Sequence, residues 1–124
     1  MSIEKVPFDN WENYINRFNR IHNKWIFSLK EIEEDGTKKT LRDNLKLKEV
    51  ALDMEAGENN NRFFIVGQRD GEELNHFVEK VKTIAVQKND EGAEEILFIE
   101  SESGLTAEIQ FRASVRPENL DGIV

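Results

Sequence analysis

The 124-residue sequence predicts an α+β fold in which one N-terminal helix packs on a twisted antiparallel sheet of about six or seven strands. Three observations predict it: an apolar stripe at helical spacing, alternating or continuous apolar runs from residue 24 onward, and glycines in the polar breaks between those runs. No helical segments alternate with the strands, which argues against a parallel sheet. A closed or partly open barrel and a β-sandwich with the helix at one end remain alternatives.

The helix is predicted at about residues 10–22. Its apolar residues recur at helical spacing and form one stripe: Trp11, Tyr14, Ile15, Phe18 and Ile21. Asp9 and Glu12 have the spacing of a capping box, in which acid side chains accept unpaired N–H groups of the first turn. The polar residues between them are expected to face solvent: Asn10, Asn13, Asn16, Arg17, Asn19 and Arg20.

A β-meander is predicted at about residues 24–112, followed by an irregular C-terminal tail at 113–124. Apolar and polar residues alternate around Trp25, Phe27 and Leu29, with a turn at Asp35-Gly36 and a further strand through Leu45 and Leu47. Residues 1–124 are therefore expected to form a single domain.

The later strands are separated by equally clear turn signals. Residues 62–68 form a nearly continuous apolar run, and Asp70-Gly71 turns the chain back into a strand around residues 74–78. A further strand is expected at 83–87, before the closing hairpin. Turns therefore separate the predicted strands of the meander at regular intervals.

The closing hairpin has two possible registers. A two-residue loop at Ser103-Gly104 would place Ile96 and Phe98 opposite Phe111 and Ile109, while a three-residue loop at residues 102–104 would shift the pairing and exchange the faces. The three-residue loop is preferred. It places Leu97 and Ile99 opposite Ile109 and Ala107, sends Glu100, Glu102 and Glu108 to one polar face, and leaves Phe98 on the outer face near Glu108.

Composition narrows the function classes. The formal net charge of −8 at pH 7 disfavours binding to nucleic acid or to an anionic membrane. The absence of cysteine removes disulfides, thiolate chemistry and cysteine-ligated metals. No apolar run approaches the length of a signal peptide core or a membrane span, so a soluble, cytoplasmic protein is the expectation.

No catalytic or metal-binding motif stands out, and no cofactor is predicted. His22 lies where the helix ends, and His76 lies on the same strand face as Leu74 and Val78. Neither has the spacing of a metal site or a hydrolase triad, so structural roles are favoured. The acidic segments, including residues 90–95, lack a calcium-loop pattern and are interpreted as solvated turns.

Several aromatic residues could line a pocket or a contact surface, although the core is the simpler interpretation. Core positions are favoured for Trp11, Phe18, Trp25 and Phe27. Adjacent strand residues face opposite ways, so one of the pair Phe63-Phe64 is expected outside the helix-covered face. The candidate ligand or partner contacts are Phe63, Phe64, His76 and Phe98.

Short motifs along nearly the whole chain carry a family resemblance. They include the helix opening at Trp11, the segment around Trp25, Leu74-x-His76-x-Val78, the turn at residues 90–95 and the ending at residues 117–122. Together they resemble a small bacterial family known only as a domain of unknown function. The resemblance implies a bacterial-type, stand-alone protein and no specific activity.

Three hypotheses for function follow. The favoured one is a non-catalytic protein-interaction module that binds another protein or forms a homodimer, because continuous apolar strands provide more apolar surface than one helix covers. The alternative is a small β-barrel that binds an apolar ligand. A hydrolase or metal-dependent enzyme that uses His76 and nearby carboxylates ranks third.

Overall fold

The computed structural model describes residues 2–53 and 61–112, in which one α-helix and eight strands form. The elements are β1 (Ser2–Val6), a 3-10 turn (Phe8–Asn10), α1 (Trp11–His22), β2 (Ile26–Ile32), β3 (Lys38–Asp53), β4 (Arg62–Arg69), β5 (Glu72–Val78), β6 (Val81–Lys88), β7 (Glu94–Ser101) and β8 (Thr106–Phe111). The predicted tail at 113–124 lies outside the described residues.

The eight strands form one antiparallel sheet in the order β1-β6-β7-β8-β2-β3-β4-β5. The predicted α+β class is confirmed, with eight strands rather than six or seven. As far as residues 2–53 and 61–112 show, the sheet does not close into a barrel, and β1 and β5 are its two edges. Strand β1 escaped prediction because four of its five residues are exposed, so the apolar alternation that marks a strand is missing. Pairing with β6 holds it in place.

The closing hairpin has the predicted three-residue loop. Leu97 pairs with Ile109 and Ile99 pairs with Ala107, and Gly104 has the positive φ of 95° that this loop requires. Phe98 lies opposite Glu108 on the outer face, as expected.

The expectation of a wet polar face around Glu108 is wrong, because Glu108 is only 1% exposed. Lys38 extends from β3 toward its carboxylate, with Nζ 3.3 Å from Oε1 and 3.2 Å from Oε2. Only the contact to Oε1 has hydrogen-bond geometry, so Oε2 is held by charge attraction without a directed hydrogen bond. A buried carboxylate is tolerated on this face because the lysine partly neutralises it.

Helix α1 lies on the opposite, inner face of the sheet, where the apolar core is located. Trp11 donates from Nε1 to the Val6 carbonyl oxygen at 2.9 Å and meets Phe63 edge to face at 5.5 Å. The core positions predicted for Trp11, Phe18 and Phe27 are confirmed, and Trp25 packs against the core while partly exposed. The predicted capping box does not form: Asn10 precedes the helix and makes no side-chain capping bond.

One face of α1 was predicted to be fully solvated, and Asn19 corrects that prediction. Its side-chain amide donates to the Val50 carbonyl oxygen and accepts from the Val50 N–H, both at 2.8 Å. One turn later, Asn23 donates to the Lys48 carbonyl oxygen at 3.0 Å. This part of β3 extends beyond its pairing with β2, which ends near Leu47. The amide of Asn19 therefore replaces a missing neighbouring strand and fixes the helix to the sheet.

Candidate binding groove

His76 faces the inner side of the sheet from the middle of edge strand β5. It lies directly opposite the fully buried Ile65 of β4, and directly opposed residues share a face. Its side chain is half-buried, and burial lowers the pKa of His76 while the nearby Glu31 carboxylate opposes that effect. The imidazole is therefore neutral near pH 7.

A groove of about 360 Å³ opens beside His76. One wall comes from the end of β5 and the residues that follow it, and the other comes from the ends of β2, β7 and β8. The walls include His76, Phe77, Lys80, Glu31, Ser101 and Leu105. The groove thus lies between an edge strand and parts of the sheet that are not hydrogen-bonded to that strand.

The position of the groove relative to β5 follows from two adjacent residues. His76 faces the inner side of the sheet, whereas Phe77 faces the outer side, where it pairs with Phe64. Residues on both faces of one strand line the same groove when that groove opens at the edge or the end of the strand. Among the described residues β5 pairs only with β4, so its backbone N–H and C=O groups that point away from β4 have no strand partner there.

The groove also gathers exposed apolar surface. Among residues 2–53 and 61–112, the exposed large apolar side chains are Ile3, Phe8, Phe77 and Leu105. Two of these line the groove: Phe77, which is 58% exposed, and Leu105, which is 38% exposed. The Phe77 ring is supported from behind by an edge-to-face contact with Phe64 at 5.1 Å. Exposed apolar side chains that lie together in this way are typical of a contact surface.

Hydrogen bonds fix the end of the groove near Ser101. Its hydroxyl donates to the Glu79 carbonyl oxygen at 2.8 Å and accepts from the Ser103 hydroxyl at 3.2 Å. The Glu102 N–H donates to the Lys80 carbonyl oxygen at 2.9 Å. These bonds tie the chain after β5 to the loop between β7 and β8, so this end of the groove is preorganised.

The same contacts bear on catalysis. Within the described part of the chain, no hydrogen bond joins His76 to a serine hydroxyl or to a carboxylate. A nucleophile, a base and an orienting acid must be hydrogen-bonded in series for triad chemistry. The groove therefore has the shape and mixed polarity of a binding site, and its described contacts do not include that series.

The four residues singled out from the sequence lie in different environments. His76 lines the groove, and Phe64 lies half-buried behind Phe77. Phe63 is a fully buried core residue against Trp11, so a partner cannot contact it in this fold. Phe98 lies half-buried on the outer face of β7, outside the groove.

Glu31 and Leu105 belong to the groove but were not identified from the sequence. Leu105 carried a weak signal, an apolar residue directly after the turn glycine Gly104. Glu31 carried none, because its place depends on β2 lying between β3 and β8.

Apart from the groove, a cluster of polar side chains lies in the interior, between α1 and the start of β7. The Tyr14 hydroxyl donates to Glu94 Oε2 at 2.5 Å, and Arg17 Nη2 lies 3.6 Å from the same oxygen. Burial and the Glu94 carboxylate raise the pKa of Tyr14 far above its ordinary value, so the phenol stays protonated as a donor. Glu94 was predicted to be part of a solvated turn, and its burial against α1 corrects that prediction.

His22 completes this interior group. Its Nδ1 lies 2.9 Å from the Phe18 carbonyl oxygen and donates to it, since a carbonyl can only accept. Its Nε2 lies 3.7 Å from Glu94 Oε1, which has no hydrogen-bond partner within the described residues. The ring stacks on Phe111 at 4.6 Å and meets Trp25 edge to face. Burial lowers the pKa of His22, so it is a neutral packing residue rather than a cation at the helix end.

Residues 2–53 and 61–112 contain neither a cluster of metal ligands nor a membrane-spanning helix. No cluster of three or more histidine or acidic side chains converges there to hold a metal ion. Of the helical residues described, none belongs to a helix long and apolar enough to cross a membrane. Comparisons of the chain with protein-family models, curated proteins and solved structures find no match.

Proposed function

We propose that this protein is an interaction module that binds an extended segment of another protein along the open edge of β5. The observation that carries the proposal is the groove beside that edge, lined by the exposed side chains of Phe77 and Leu105. An added strand would hydrogen-bond to the unpaired backbone of β5 and place alternate side chains into the groove.

The charge pattern along β5 supports a docked strand over a purely structural edge. Natural edge strands are shielded by charges, and β5 carries Glu72 and Glu73 at its start and Glu79 just after its end. Its central residues from Leu74 to Val78 have no charged side chain at pH 7 if His76 is neutral. The shielding is thus interrupted where the groove lies.

A barrel that binds an apolar ligand, the alternative function, fits the groove less well. Such a barrel would need an enclosed apolar cavity, whereas this groove is open and has Glu31, Lys80 and Ser101 in its walls. An added strand can use both the apolar and the polar groups of such a groove.

Selection from a displayed library of random twelve-residue peptides tests the proposal. The peptides recovered on the wild-type protein are expected to shift backbone amide NMR signals of residues 74–80 and 101–107. Replacement of Phe77 by serine is expected to weaken their binding at least tenfold, because a buried aromatic anchor contributes about 2 kcal/mol or more.

Ile3→Ser is the matched control, because Ile3 is the exposed apolar residue of the other edge strand and is 62% exposed. It should leave binding unchanged. The proposal is overturned if selection yields no binding peptide, or if the recovered peptides bind Phe77→Ser as tightly as the wild type.

A further inference from the structure

We infer that the segment bound along β5 carries a lysine or arginine next to an apolar residue, and that a second copy of this chain is a poor occupant. This inference rests on the proposed function and adds the chemistry of the partner. It follows from the charges around the groove and from the sequence of the strand itself.

Carboxylates outnumber cations around the groove. Glu31 and Glu79 line it. A third acid stands at its rim: the side chain of Glu34 packs so closely on Gly104, between the lining residues Ser103 and Leu105, that a Cβ added to Gly104 would lie 3.1 Å from it.

Two lysines oppose these three acids. Lys39 lies 4.0 Å from Glu31 and 3.7 Å from Glu33, so its charge is shared between two carboxylates. Lys80 lines the groove and has no ion pair within the described residues. His76 adds no positive charge near pH 7. The local charge is therefore negative, in agreement with the formal charge of −8 for the whole chain.

A cation-bearing segment is attracted to such a site and is positioned by it. In a strand, side chains alternate, so one residue can contact Phe77 or Leu105 while its neighbour approaches a carboxylate.

Edge-to-edge pairing of two copies would supply few cations to the acids of the strand. If β5 paired antiparallel with β5 of a second copy about Phe77, Asn75 would face Glu79 and Leu74 would face Lys80, so neither charge would gain an opposite partner. If it paired about His76, Glu72 would face Lys80, but Glu73 would lie directly opposite Glu79, and like charges in that position are destabilising. A basic partner segment makes no such like-charge contact, so the strand favours it over a second copy of itself.

Three synthetic eight-residue peptides test this inference. Each has valine at alternate positions, and the intervening positions are all lysine, all threonine or all glutamate. Titration at pH 7.5 and low salt, followed by NMR, is expected to give at least tenfold tighter binding of the lysine peptide than of the threonine peptide, and the weakest binding for the glutamate peptide. Added salt should narrow these differences.

The double variant Glu31→Gln/Glu79→Gln should reduce the preference for lysine over threonine at least threefold. Glu49→Gln is the control, since Glu49 is an exposed acid of β3 that lines a different groove, between α1 and β3. Equal affinity for the lysine and threonine peptides, or a preference for glutamate, would overturn the inference while leaving strand binding intact. Absence of groove shifts with all three peptides would instead count against the proposed function.

The pH dependence of peptide binding provides a second test of the charge preference. The groups around His76 are Glu31 from β2 and Glu79 and Lys80 after β5, with Lys39 beyond Glu31. Protonation of His76 adds a positive charge, so the lysine peptide should bind more weakly at pH 5.5 than at pH 7.5. This change should be smaller in His76→Gln. An equal loss of affinity in both proteins would contradict a role of His76 in the charge preference.

Discussion

The two histidines of this protein have the same type of side chain in opposite surroundings. His22 is 1% exposed, stacked on Phe111 and hydrogen-bonded through Nδ1. His76 is half-buried, lines an open groove and has no hydrogen-bond partner within the described residues. Burial lowers the pKa of both. The comparison shows that a shifted pKa alone does not distinguish a packing residue from a binding residue, whereas the neighbouring contacts do.

Truncation of the buried His22 is expected to have the largest effect, a loss of stability. His22→Ala removes a stacked ring from the core and leaves a cavity between α1 and Phe111, so the free energy of unfolding should fall by about 2–4 kcal/mol. Urea denaturation followed by tryptophan fluorescence measures this. A loss below 1 kcal/mol would show that the ring is not an essential part of the core.

Tyr14→Phe should have the next largest effect. It removes the hydroxyl that donates to Glu94 and leaves a buried carboxylate oxygen with only the charge of Arg17 nearby, which should cost about 1–3 kcal/mol. Ser28→Ala is the matched control, because Ser28 donates to Asp43 at the same distance of 2.5 Å on the exposed side of the sheet. Equal losses in the two variants would mean that burial adds nothing to the Tyr14–Glu94 bond.

Stability should also depend on pH in the range where histidine titrates. Because the pKa of His22 is lower in the folded than in the unfolded protein, the unfolded state binds more protons below about pH 6.5, and the stability lost on acidification approaches about 1.4 kcal/mol per pH unit per histidine. Urea denaturation at several values between pH 7.5 and 5.5 measures the slope. His22→Phe should flatten it more than His76→Gln, and the reverse order would contradict the assignment of His22 to the core.

The smallest effect is expected from His76→Gln. The side chain is half-buried, lies outside the core cluster and has no described hydrogen bond, so the free energy of unfolding should change by no more than about 0.5 kcal/mol. The same variant should still change the pH dependence of peptide binding. A stability loss as large as that of His22→Ala would place His76 among the structural residues instead.

Local patterns predicted much of this fold because they depend on neighbouring residues. The stripe beginning at Trp11 predicted the helix, and the alternation through Ile109 predicted the hairpin register and the outer position of Phe98. The strand count failed at β1, where exposed residues carry no alternation.

The groove was less accessible to sequence reasoning, because it depends on long-range pairing. His76 was identified as a candidate, but no local feature indicates that β5 is an edge strand or that Glu31 lies across from it. The acids show the same limit. Glu94 and Glu108 resemble solvated residues in sequence, yet each is buried by a partner distant in the chain: Tyr14 for Glu94 and Lys38 for Glu108.

The amide of Asn19 makes one backbone proton of the sheet a reporter of helix undocking. The Val50 N–H is bonded to the Asn19 side chain rather than to a neighbouring strand. If α1 moves away while the pairing of β3 with β4 persists, this proton becomes open to exchange with solvent although its strand remains folded. Deuterium exchange at Val50 should therefore be faster than at Leu47, whose N–H is bonded to the Trp25 carbonyl oxygen at 2.8 Å. The ratio of the intrinsic to the observed exchange rate at Val50 then gives the free energy that holds the helix on the sheet.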